Sequence, residues 1–211
     1  MRFGRKRDEE VEDLETPEEG LGSLPAVGPF DDSTVDVEEH EGIDLGSLLV
    51  TPDDRTEVQL QVDEASGEVA AVLLVGDDAA LELRAFASSR GGGAWDDLRP
   101  EIAAEVARLG GTATERQGTF GTELICMVPV QTPDGQPATQ PTRVTGHEGP
   151  AWLLRATLHG APALQDEDAE HESLARWDET IRRVVVRRGR DARAPGAALP
   201  LRLPPDARRA E

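Results

Sequence analysis

The 211-residue chain contains one cysteine, one lysine and no tyrosine. A single thiol, Cys126, excludes an internal disulfide framework and any zinc site built from cysteines. The longest uninterrupted apolar run, Val69–Val75, is far short of the roughly 20 residues that a helix needs to cross a bilayer. Aromatic residues are few, four Phe and three Trp, and none follows Trp177, so the basic C-terminal end has nothing to stack on bases. Basic residues are also scarce: 22 Lys and Arg face 42 Asp and Glu, for a formal net charge of -20. That balance opposes whole-surface binding to nucleic acid or anionic lipid, since both require a basic footprint.

The charge is segregated along the chain. Residues 1–7 carry four basic and no acidic side chains, whereas residues 8–44 carry 15 acidic and no basic ones. This acidic stretch shows no sustained hydrophobic period and has too little apolar surface to offset chain entropy. It predicts a disordered acidic leader over residues 1–42, then one folded domain over 43–189 and a Pro/Arg-rich C-terminal arm over 190–211. The basic start is followed by acids rather than by an apolar stretch, so no export signal is expected and the predicted location is the cytoplasm. Between residues 181 and 211 the sign reverses, with nine arginines against three acids.

From Ile43 onward the pattern is that of strands. Val58, Leu60 and Val62 alternate with polar residues, Val69–Val75 is a continuous apolar run of strand length, and Leu81, Leu83, Ala85 and Ala87 alternate again. With a short strand at Leu48–Val50 these form an antiparallel meander. Trp95, Leu98, Ile102, Val106 and Leu109 draw one apolar stripe on a helix over 95–109, with Asp96 or Asp97 as cap and Gly110-Gly111 as stop. Strands are expected at 112–117, 124–130, 143–145 and 152–158, with an exposed loop over 132–141 and a hairpin turn over 146–150. A second helix over 166–182 has acids at its start and Arg182 and Arg183 at its end, matching the macrodipole, and buries Leu174, Trp177 and Ile181. Val184-Val185-Val186 reads as a last short strand, and Leu199, Leu201 and Leu203 alternate in the arm. The expected fold is α+β: a mostly antiparallel sheet of about seven to nine strands packed with two main helices.

No complete catalytic or metal-binding constellation emerges. Cys126 is in phase with Leu124 and Val128 on a strand expected to be buried, so it reads as core. His40, His147, His159 and His171 share no metal-ligand spacing, and His171-Glu172 lacks the second histidine of a zincin helix. The Gly91-Gly92-Gly93 joint has neither P-loop nor dinucleotide-fold spacing and precedes two acids, so it reads as a hinge. No catalytic residue, metal or cofactor is therefore expected. Trp95, Arg99, Glu123, Trp152 and Arg155 are the candidates for a binding pocket, with Arg155, a lone arginine in an apolar strand, either paired to a carboxylate such as Glu123 or holding an anion.

Five ordered phrases bear a resemblance. They are Leu83 to Phe86 followed by Trp95-Asp96-Asp97-Leu98-Arg99-Pro100-Glu101-Ile102, then Gly118-Thr119-Phe120-Gly121-Thr122-Glu123-Leu124, Gly149-Pro150-Ala151-Trp152-Leu153-Leu154-Arg155, residues 184–189, and Leu199-Pro200-Leu201-Arg202-Leu203-Pro204. Together they resemble an uncharacterised actinobacterial family classed as a domain of unknown function, over residues 43–205. The element order is similar to that of the Mog1/PsbP-like fold. Neither resemblance implies an activity. The leading expectation is a non-enzymatic cytoplasmic domain that binds a protein partner or supports an assembly. The alternatives are a small-molecule or anion binder or enzyme using the five candidate residues, and, less favoured, nucleic-acid contact through the C-terminal arginines.

Overall fold

The computed structural model describes residues 28–38, 40–63, 67–132, 134–165 and 172–204. The strands are β1 (Phe30–Asp31), β2 (Ile43–Asp44), β3 (Leu48–Val50), β4 (Glu57–Val62), β5 (Val69–Val75), β6 (Ala79–Ala87), β7 (Thr112–Gly118), β8 (Gly121–Gln131), β9 (Pro137–Gly149), β10 (Trp152–Gly160) and β11 (Val185–Val186). The helices are α1 (Ala94–Arg108) and α2 (Glu172–Arg182), with one 3₁₀ turn at Ala161–Leu164. The α+β expectation holds. An antiparallel seven-stranded sheet runs in the order β4-β5-β6-β10-β9-β8-β7, beside a four-stranded mixed sheet ordered β1-β11-β3-β2.

The large sheet consists of two meanders, β4-β5-β6 and β7-β8-β9-β10, linked through α1 and zipped together where β10 pairs with β6 from Trp152 opposite Ala87 to Gly160 opposite Ala79. Strand alternation sorts the side chains onto two faces. Val72, Leu74, Leu81, Leu83, Trp152, Leu154, Ala156 and Leu158 point to one face and pack under Leu174, Trp177 and Ile181 of α2 and under Leu48, Val50, Val184 and Val186 of the small sheet. Leu124, Cys126, Val144 and Leu153 point to the other, beneath Trp95 and Val106 of α1. That helix lies over β7, β8 and β9.

Several expectations are corrected. Part of the stretch expected to be a disordered leader enters the fold: Phe30–Asp31 pairs in parallel with Val185–Val186, and the Asp31 carboxylate accepts a hydrogen bond from Trp152 Nε1 at 2.6 Å. Two residues are too few for a periodic signal, and their partner lies more than 150 positions away. Residues 1–27 and 39 are outside the described set, as are 166–171 of the expected second helix and 205–211 of the arm. The arm itself is partly strand-like. Paired register between β5 and β6 runs only from Ala80 to Leu83, which leaves the β6 backbone at Ala85 and Ala87 open on that side. The arm fills it: Ala87 N–H donates to Ala197 O and Leu199 N–H to Ala85 O, both at 2.8 Å, and Leu199 is buried.

The expected loop over 132–141 and turn over 146–150 are also shorter than their Gly and Pro content suggests, because β9 spans Pro137–Gly149. Pro141 sits within it, and Gly146 and Gly149 are there because indoles lie against the strand. A Cβ on Gly146 would overlap the Trp95 ring, and one on Gly149 the Trp152 ring. The α1 cap is likewise not Asp96 or Asp97. Gly93 (φ 87°) is the cap residue, and the Glu148 carboxylate reaches from β9 to accept the Gly93 N–H at 3.1 Å and the Trp95 N–H at 3.2 Å. A carboxylate there satisfies two orphan donors and complements the positive helix end.

Candidate functional site

The five candidate residues do not share one pocket. Trp95 is buried between α1 and the sheet, with its Nε1 donating to Thr122 O at 2.7 Å. Arg99, one turn further along α1, stacks its guanidinium 5.7 Å from the Trp95 ring and pairs with Asp96 at 2.5 Å and Glu115 at 3.1 Å. Arg155 shares this face of the sheet. Its register partner on β9 is Gly146, the residue beneath the Trp95 ring, so Trp95 lies one strand away from Arg155. Glu123 and Trp152 point to the opposite face, toward α2. Arg155 is paired, as expected of a lone arginine in a strand, but with Glu82 at 3.1 Å rather than with Glu123.

Glu123 belongs instead to a buried ionic network that periodicity did not disclose. Its Oε1 accepts from Arg116 Nη2 at 2.7 Å and its Oε2 from Arg143 Nε at 2.6 Å, while Arg143 Nη1 donates to Asp178 of α2 at 2.5 Å. Arg143 and Glu123 are each 1% exposed. Burial works against the Arg143 charge, yet Asp178 and Glu123 hold the guanidinium above its ordinary range. The only sequence signal for this residue was its position beside Val144 in a short apolar phrase. Next to the network His147, within the stretch expected as a hairpin turn, is 9% exposed, edge-on to the Phe120 ring and within 2.9 Å of Thr145 Oγ1. Burial, with the Arg143 charge in support, pushes its pKa down to about 3, so it stays neutral at physiological pH. These groups cement α2 to β8 and β9.

On the other face, α1 covers only three strands, and β5, β6 and β10 present a row of side chains with no helix above them among the described residues. Alternation places Leu73, Glu82, Arg84, Phe86, Arg155 and His159 there. Arg84 and Arg155 are direct register partners, a like-charge pair across the strands, which is unfavourable unless compensated. Glu82 compensates one of them, and both guanidiniums stack on Phe86, at 5.6 and 5.7 Å from its centroid. Among the described residues Arg84 has no carboxylate partner, and the Nε atoms of both arginines are buried without a hydrogen bond. Burial pulls the Arg155 guanidinium below its ordinary range; Glu82 opposes this and Arg84 adds to it.

Cys126 is 1% exposed, and burial pushes its thiol up, away from the reactive thiolate. No group of three or more His, Cys, Asp or Glu is placed to hold a metal ion, and no helix is long and apolar enough to cross a membrane. Of the C-terminal arginines weighed for nucleic-acid contact, Arg182 and Arg183 pair with Glu179, and Arg187 with Asp32 and Asp44. Arg208 and Arg209 lie outside the described residues.

Residues 28–210 match the sequence profile of a family described as "Protein of unknown function (DUF3710)". No curated protein matches the chain.

Proposed function

Since the chain belongs to the DUF3710 family, whose description assigns no activity, we propose from its own geometry that it is a non-enzymatic cytoplasmic domain that binds a protein partner. The partner contributes an acidic, amphipathic segment that lies beside α1 on the open half of the sheet. One observation carries this reading: Arg84 and Arg155 face each other across β6 and β10 with, among the described residues, Glu82 alone to balance them. A carboxylate brought over Arg84 would compensate the second charge, and apolar side chains beside it would cover Leu73 and Phe86. A two-layer packing of sheet and helices is completed in this way on a face where α1 alone is too narrow.

The test compares partner capture by the intact chain and by Arg84→Glu. Arg84 holds no carboxylate among the described residues, so its reversal breaks no ion pair of the described fold, and the melting temperature of both proteins is measured to separate lost binding from the lost stacking on Phe86. Specific capture of one protein by the natural chain, lost in the variant, supports the reading. Equal capture by both, or no specific partner for either, overturns it.

A further inference from the structure

At the end of the large sheet, three loops enclose an open cleft of about 1140 Å³. The first follows β6 and contributes Ser88, Arg90, Gly91 and Gly92; the second is the tip of the β9–β10 hairpin; the third follows β11 and contributes Arg188, Gly189, Arg190 and Asp191. None of the five sequence candidates lines it. We infer that this cleft is a binding site for a multiply charged oxyanion, a phosphate ester or a polycarboxylate.

Three arginines line the space. Arg188 is positioned by the fold itself, its Nε donating to Ala151 O at 3.0 Å and its Nη1 to Asp191 O at 3.1 Å. Both acceptors are neutral backbone carbonyls, so its charge is not cancelled by a carboxylate. Arg90 and Arg190, on the first and third loops, make no hydrogen bond or ion pair among the described residues. By contrast Arg55, Arg99, Arg108, Arg116, Arg143 and Arg176 all hold carboxylates. Two acids also line the cleft. Glu148 is already engaged by the α1 N-terminus through the Gly93 and Trp95 amides, which leaves Asp191 against three arginines.

The glycines shape the site. A Cβ added at Gly91 or Gly189 would meet nothing within 4 Å, so these residues do not serve close packing, and the backbone there is bare toward the cleft. Gly92 (φ 73°) and Gly189 (φ 71°) adopt the left-handed conformation that glycine tolerates and that turns each loop at the rim. Guanidinium forks match the oxygen pairs of phosphate and carboxylate groups. Three of them around one concavity suit a ligand with several anionic oxygens, and the volume matches a ligand at or above the upper end of the small-molecule range, about 300–1,000 Å³.

The experiment is calorimetric titration of the full chain with inorganic pyrophosphate and, separately, with citrate, at low and high salt, for the natural protein, for Arg90→Ala/Arg190→Ala and for Arg84→Glu. Saturable binding of either anion is expected, weakened by salt, and weakened at least about tenfold in the double variant, as loss of two charge-assisted hydrogen bonds implies. Pyrophosphate alone would identify the phosphate class, citrate alone the polycarboxylate class. The double variant should melt with the natural protein because neither side chain supports the fold, and Arg84→Glu should bind the anion normally, which separates this site from the sheet face. No saturable binding of either anion, or equal binding by the double variant, overturns the assignment.

Discussion

Replacing Arg143 by methionine should be among the most damaging single changes in this protein. The guanidinium is 1% exposed, held at 2.6 Å from Glu123 and 2.5 Å from Asp178. Methionine fills most of the aliphatic volume but removes the positive charge between two buried carboxylates. Glu123 keeps Arg116, at 2.7 Å and partly open to water, while the buried Asp178 carboxylate of α2 loses its hydrogen bond from the Arg143 guanidinium. Breaking a buried pair by removing one partner costs about 3–5 kcal/mol. For a domain of this size that corresponds to a fall in melting temperature of roughly 6–20 °C. The assay is urea and thermal unfolding at pH 7, followed by far-ultraviolet circular dichroism. The decisive comparison is the triple variant Arg143→Met/Glu123→Leu/Asp178→Leu, which also removes the two buried carboxylates that Arg143 balanced and should recover most of the loss, since apolar replacement of a whole buried network is often neutral. A loss below about 1 kcal/mol for Arg143→Met, or a triple variant no more stable than the single one, would refute the reasoning.

Three further outcomes follow from the same packing. Gly146→Ala should cost about 1–3 kcal/mol and change the tryptophan emission, because the new methyl displaces the Trp95 ring from the strand; an unchanged melt and spectrum would contradict that contact. His147, with its folded pKa near 3, lies below its unfolded value of about 6.5. The unfolded chain therefore binds the extra proton first, so this contribution is complete above about pH 6.5 and is lost as the pH falls toward 3; His147→Gln should flatten that limb of the stability profile. For Asp31, burial alone pushes the carboxyl up, but hydrogen bonds from Ser33 and Trp152 outweigh it and hold the carboxyl below its ordinary range. Its contribution is present above about pH 4 and is lost on further acidification, and Asp31→Ala should cost roughly 1 kcal/mol at pH 7 and increase proteolytic cutting near Phe30.

Much of the fold was legible where a single element carries its own signal. The stripe Trp95, Leu98, Ile102, Val106 and Leu109 placed α1 to within a residue at each end, because helical spacing is local. The alternation of Leu81, Leu83, Ala85 and Ala87 placed β6 and its buried face in the same way. Cys126, in phase with Leu124, is in the core as its strand position implied. Gly146 and Gly149 misled because glycine marks turns in a sequence, whereas here it makes room for indoles that arrive from elsewhere. The candidate pocket failed to assemble for a related reason. Trp152 and Arg155 are three positions apart on one strand and therefore face opposite sides, and Glu123 faces the side away from α1.

Composition and periodicity alone determined that this chain builds an α+β fold around a mostly antiparallel sheet, without disulfides or cysteine-built metal sites, and with a dense run of acids over residues 8–44. They could do so because the spacing of apolar residues and the count of charges are properties of neighbouring positions. Which charges meet was decided only by the tertiary structure. The pairing of Arg143 with Asp178, the facing of Arg84 and Arg155, the docking of Asp31 onto Trp152 and the gathering of Arg90, Arg188 and Arg190 at one end of the sheet all depend on strand order and register between distant segments.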